Sequence, residues 1–101
     1  MRKLTKSYRE DLVKRLRNPK YAATYLNTAL MDDDPAVFLI ALKDVADAQG
    51  ESMARIAKKA HLNRESLYRT LSKGGNPRLY TLHALLEALG FHLAVQPSIA
   101  A

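Results

Sequence analysis

Residues 52–72 read SMARIAKKAHLNRESLYRTLS, and the fold follows from how that stretch divides. Ser52 is a capping residue ahead of a short helix that holds Ile56, Ala57 and Ala60. Asn63 repeats the device three residues after Ala60, and a second helix then runs toward the double glycine Gly74-Gly75. Two short helices joined by a tight turn have the layout of a helix-turn-helix. Ala57 falls where the helices cross, a place at which a larger side chain would hold them apart. Ile56, Ala60, Leu62 and Leu67 supply the apolar positions that set the angle between them.

The outer face of the second helix is crowded with polar groups. On a helical wheel Glu65, Arg69 and Ser72 lie opposite Leu67, with Ser66 and Tyr68 at the flanks and Asn63 and Arg64 at the start. In a helix-turn-helix the N-terminal residues of the second helix meet base edges in the major groove. Arg can pair two donors with guanine, Asn can pair with adenine, and Ser suits a base or a phosphate. Contact with DNA is therefore expected at Ser52, Asn63, Arg64, Glu65, Ser66, Tyr68, Arg69, Ser72 and Lys73. Plainer uses compete for four of them. Asn63 serves as a cap, Glu65 and Arg69 are spaced four apart for a weak ion pair, and Tyr68 can pack on the core edge. Lys58, Lys59, Lys73 and Arg78 suit phosphates, which receive most protein–DNA contacts.

Charge is distributed in the same sense. The chain has 101 residues and a formal charge of +6. Residues 1–20 carry +6, residues 21–50 carry −4, residues 51–80 carry +5 and residues 81–101 carry −1. Two basic blocks flank an acidic one, and the second basic block contains the helix pair. A polyanion partner fits that pattern; a solvated basic surface is the alternative. There is no cysteine, which removes disulfides and thiolate metal sites and fits a reducing cytoplasm. Met1-Arg2-Lys3 leads into no apolar run, and nothing approaches the roughly 20 apolar residues of a membrane span. A soluble cytoplasmic protein is expected.

Outward from the helix pair, other start signals recur. Ser7-Tyr8-Arg9-Glu10 has the form of a capping box, followed by Leu12, Val13 and Leu16 on one face with Tyr8. Asn18-Pro19 and Asp34-Pro35 each place a capping side chain before a proline at the first helical position. Tyr21, Ala22, Tyr25, Leu26, Ala29 and Leu30 then keep a 3.6-residue period, as do Phe38, Ala41, Leu42, Val45 and Ala46 up to Gly50. After the loop, Leu79, Leu82, Leu85, Leu86 and Leu89 form a stripe that Gly90 ends. Six helices and an all-α domain over 1–101 are expected, with an N-terminal extension at 1–33 and the helix-turn-helix domain at 34–90.

Phe91-His92-Leu93-Ala94-Val95 breaks the pattern, with apolar residues at every second position, the period of a strand. No other segment offers a partner, so a strand at 91–96 would need a second copy of the chain. Phe91, Leu93 and Val95 are accordingly expected to serve dimerisation. An extended tail laid over the core is the alternative.

The segments YLNTAL, DDDPAVFLIALKDVADAQG and NRESLYRTLS with ALGFHLAV resemble the HigA-like addiction-module antidote proteins, prophage-type helix-turn-helix regulators with a lambda-repressor-like domain. The resemblance covers about residues 18–96. It implies an antitoxin that binds a RelE/ParE-like toxin and a dimer that represses its own operon at an inverted repeat in double-stranded DNA. It maps the recognition helix to Asn63–Ser72 and the preceding helix to Ser52–Ala60. Two departures stand out. His61 occupies a turn position where the family usually has glycine, and residues 1–18 are more basic than expected.

Two other functions compete. A stand-alone phage-type repressor would lack the toxin partner. A ribonuclease toxin would need a basic sheet, whereas only one candidate strand is present, and His61, His83 and His92 lack metal-ligand spacing or a nucleophile nearby. The KGGNP loop follows a helix rather than a strand, so it is no phosphate loop. No enzyme activity, metal or cofactor is expected. Asp32-Asp33-Asp34 could meet a basic toxin, with helix capping and a solvated loop as the plainer reading.

Overall fold

The computed structural model describes residues 6–72 and 74–99. Six helices follow in order: α1 Lys6–Leu16, α2 Pro19–Leu30, α3 Pro35–Ala48, α4 Met53–Lys59, α5 Arg64–Leu71 and α6 Leu79–Ala88. Local chemistry explains most of their starts. The Asn18 side chain accepts from the amides of Lys20 at 2.9 Å and Tyr21 at 3.3 Å, and Pro19 supplies a pre-set φ with no amide to satisfy. Asp34 accepts from Ala36 at 3.0 Å ahead of α3. The capping box at Ser7 is not formed in the expected way, because α1 is already helical at Lys6 and Ser7 falls in its first turn.

α3 is the central element. It packs against α1, α2 and α5, while α6 packs against α4. Phe38, Leu42 and Val45 on one side and Leu39 and Ala46 on another are all buried, which requires neighbours around most of its circumference. Leu12 and Leu16 from α1 and Ala22, Leu26 and Ala29 from α2 join the same cluster as Leu67, Leu85 and Leu86. α1 and α2 thus share one core with the helix pair. Burying a leucine fully contributes about 2 kcal/mol, so Leu16, Leu42, Leu67 and Leu85 are major determinants of stability. Tyr8, Tyr21, Leu30 and Leu79 fit the helical period, yet each is at least 40% exposed.

One ion cluster ties the first three helices together. Asp44, only 7% exposed, accepts from Arg9 at 2.5 Å and from the Tyr25 hydroxyl at 2.7 Å. Arg9 also reaches Asp47 at 3.1 Å. The guanidinium is held even more firmly charged than usual, chiefly by its hydrogen bond to Asp44, against a smaller opposing effect of burial.

The expected C-terminal strand is not borne out. Residues 91–98 have no regular secondary structure, and no strand occurs among the described residues. A strand needs a paired neighbour, and none occurs among the described residues; the end of α6 also fixes where the tail begins. Gly90 has φ +92°, its amide donates to Glu87 O at 3.1 Å, and the Phe91 amide donates to Leu86 O at 2.8 Å. That is a Schellman motif, in which the residue after the left-handed one packs back on the helix. Phe91 accordingly lies against the core. Leu93 is 38% exposed and Val95 98%, so within one chain the three residues expected at a dimer interface do not act alike.

Candidate nucleic-acid interface

The turn between α4 and α5 is a second Schellman motif. The Leu62 amide donates to Ala57 O at 2.8 Å and the His61 amide to Lys58 O at 3.2 Å, while His61 adopts φ +56°. A left-handed backbone is thus required where the sequence offers histidine instead of glycine, and histidine occupies it at some conformational cost. Ile56, Ala57 and Ala60 are buried in the same cluster as Leu67, and α4 packs against α5. Ala57 has the small side chain that such an approach needs.

Each capping residue has a defined task. Ser52 accepts from the Arg55 amide at 3.2 Å. Asn63 accepts from Glu65 at 2.8 Å and Ser66 at 3.3 Å. The amide oxygen that a bidentate adenine contact would need is therefore engaged by the helix start, as are two of the amides that could have met a phosphate. At the other end the Ser72 hydroxyl donates to Arg69 O at 2.7 Å. Lys73 lies outside the described residues.

The remaining side chains form an open polar face. Glu65 and Arg69 are exposed, and neither their mutual ion pair nor another side-chain hydrogen bond of either is present among the described residues. Arg64 stacks over the Tyr68 ring, 5.5 Å from its centre, with a long 3.5 Å contact to the hydroxyl. Tyr68 is 50% exposed and so does not pack into the core edge. Ser66 is half-buried beside Leu67. Arg64, Tyr68 and Arg69 are the groups the fold leaves most available.

Gly75 closes the unit. Its amide donates to Ser72 O at 2.9 Å, and a Cβ there would sit 2.2 Å from Thr70 O. The loop after α5 can take this path only because residue 75 has no side chain.

One feature was not legible in the sequence. Glu51, just before α4, binds Lys59 at 2.9 Å and lies 3.3 Å from Arg55 Nε without hydrogen-bond alignment. Its carboxyl is held below the ordinary glutamate range, first by the hydrogen bond from Lys59 and then by the two positive charges, against partial desolvation. Glu51 thus restrains two of the cations of α4. Lys58, Arg78 and the α5 arginines are exposed.

Comparison with known proteins points in a consistent direction. The family model described as "Probable addiction module antidote protein" matches residues 6–97. A Haemophilus influenzae (strain Rd) protein, described only as an uncharacterized protein, is 36% identical over 88 residues, which cover 87% of this chain and 89% of that one. No solved structure matches significantly.

Proposed function

The chain belongs to the family of probable addiction module antidote proteins, and from that premise we propose that it is the antitoxin of a type II toxin–antitoxin module. In this reading it binds a RelE/ParE-like toxin encoded beside it and represses its own operon as a homodimer. α4 and α5 act as a lambda-repressor-like helix-turn-helix, with α5 in the major groove. One observation carries the DNA-binding half: α5 presents Arg64, Tyr68 and Arg69 on a face that has no task inside the fold.

The roles divide by geometry. Arg69 and the Arg64–Tyr68 pair read base edges, with Glu65 beside them. Ser52, Asn63 and Ser72 chiefly shape the helix ends that aim this face. Lys58, Lys59 and Arg78 meet phosphates. A two-fold dimer would set its two α5 helices about 34 Å apart over an inverted repeat. Exposed Leu79 and Tyr80 at the start of α6 offer apolar surface to a second copy. The protein acts by binding and needs no cofactor.

The test is to express the product of the adjacent open reading frame with and without this chain, then to footprint the shared promoter. Growth arrest relieved by co-expression, together with a protected inverted repeat, is the expected result. A protected promoter without any growth arrest would leave a stand-alone repressor. Relief of arrest with no promoter protection at low salt would remove the DNA-binding half.

A further inference from the structure

α2 and α3 leave an open groove of about 830 Å³ along their junction, running from the Asp32 turn to the Arg9–Asp44 pair. Its lip carries apolar groups that the core does not use. Ile40 is 56% exposed and Tyr21 40%, and Val37 and Ala29 line the wall beside them. Ile40 is the most informative. α3 already buries two sides, and a β-branched residue on a third, solvated side brings neither helix propensity nor core packing. Apolar surface gathered along one groove marks a contact site.

The charge around the groove says what kind of contact. Residues 21–50 hold five aspartates against Lys43. Asp32, Asp33 and Asp34 stand at one end, while at the other Asp44 and Asp47 more than balance Arg9. Two of the turn carboxylates also cap backbone amides, Asp32 that of Asp34 and Asp34 that of Ala36, which fixes their position without removing their charge. DNA is repelled by this surface. A second copy docked by two-fold symmetry would set acid against acid. The complementary shape is a helix with one apolar stripe and basic residues at its ends.

We propose that the groove between α2 and α3 is the docking site for a cationic amphipathic helix of the toxin, its apolar stripe on Ile40 and Tyr21 and its Lys or Arg residues against Asp33 and the more exposed Asp47. This rests on the antitoxin reading given above. Such a helix needs about three turns, or roughly 18 Å, to follow α2. α2 touches α1 and α3 but neither helix of the DNA-facing pair, whereas α3, the other wall, also packs against α5. No residue lining the groove belongs to α4 or α5, so the toxin and the operator engage different side chains.

The probe is the affinity-tagged product of the adjacent open reading frame, titrated against wild-type chain and two full-length variants. Ile40→Arg replaces the exposed apolar group with a repelling cation, and Asp33→Lys reverses a carboxylate with no capping bond. Deleting residues 1–33 is unsuitable because it would remove part of the core. Both variants should melt near the wild type and bind the promoter within about twofold, while capture of the tagged protein weakens about tenfold or more. Undiminished capture by both variants overturns the groove assignment and leaves the antitoxin reading standing. A change in self-association with capture intact would make the groove an interface between copies and also overturn it. If the wild type captures nothing, the toxin-binding reading itself falls, and the groove assignment with it.

Discussion

Arg9 on α1 and Asp44 on α3 form a 2.5 Å charged hydrogen bond, across 35 residues of chain, with Tyr25 of α2 on the second carboxylate oxygen. A carboxylate this deeply set is tolerated because both oxygens are occupied. Replacing Asp44 by Asn keeps the shape, removes the charge and leaves Arg9 poorly matched. Because Arg9 is about one-third exposed, water recovers part of the loss, and a drop of about 1–2 kcal/mol is expected. Urea unfolding measures it. A midpoint equal to the wild type would show that the cluster has no net effect on stability.

His61 holds a left-handed backbone in the turn between α4 and α5. Glycine reaches that conformation without the Cβ clash, so His61→Gly should stabilise the fold by about 1 kcal/mol. Thermal melting should show a rise of several degrees for a chain of this size. Promoter affinity should be unchanged, since His61 shapes the turn and reads nothing. A lower melting temperature would show that the imidazole has a compensating contact.

Glu51 has its folded-state pKa lowered by Lys59 and Arg55. The sign of the linkage follows: its contribution is fully present above the unfolded-state pKa and is lost as pH falls through the folded one. Glu51→Gln should flatten that part of the acid limb of a stability–pH curve. It should also free Lys59 and Arg55, giving tighter, steeper salt-dependent binding to random duplex DNA. Unchanged salt slopes would mean that these cations do not face phosphates.

Arg69 has no side-chain partner among the described residues, so its replacement should leave stability nearly intact. Arg69→Ala should weaken operator binding by about 1–3 kcal/mol and relax preference at one base pair. Lys58→Ala should instead weaken all sequences alike. Competition titrations on a set of single-base operator variants separate the two. Equal losses on every variant for Arg69→Ala would reassign it to a phosphate.

Much of the fold was legible because helix starts are local events. Asn18-Pro19, Asp34-Pro35, Ser52 and Asn63 each carry the acceptor that satisfies the next amides, and all four cap as expected. The tail was misread for the same local reason. Alternation over residues 91–95 imitates a strand, but Phe91 is anchored by a helix-ending motif that depends on Gly90. The Arg9–Asp44–Tyr25 cluster was invisible, since it joins residues whose proximity only packing decides. For the interface, the exposed arginines and Tyr68 were readable from the wheel. The engagement of Asn63 and Ser72 in backbone capping showed only in three dimensions.

α5 is seated by Leu67 beneath it and by the close approach of Gly75 to the carbonyl of Thr70, neither of which involves the side chain of Arg64, Tyr68 or Arg69. The anchoring of the helix and the lettering on its outer side are thus separate properties. If α5 meets DNA as proposed, that lettering can drift after a gene duplication at little thermodynamic risk while the scaffold stays the same.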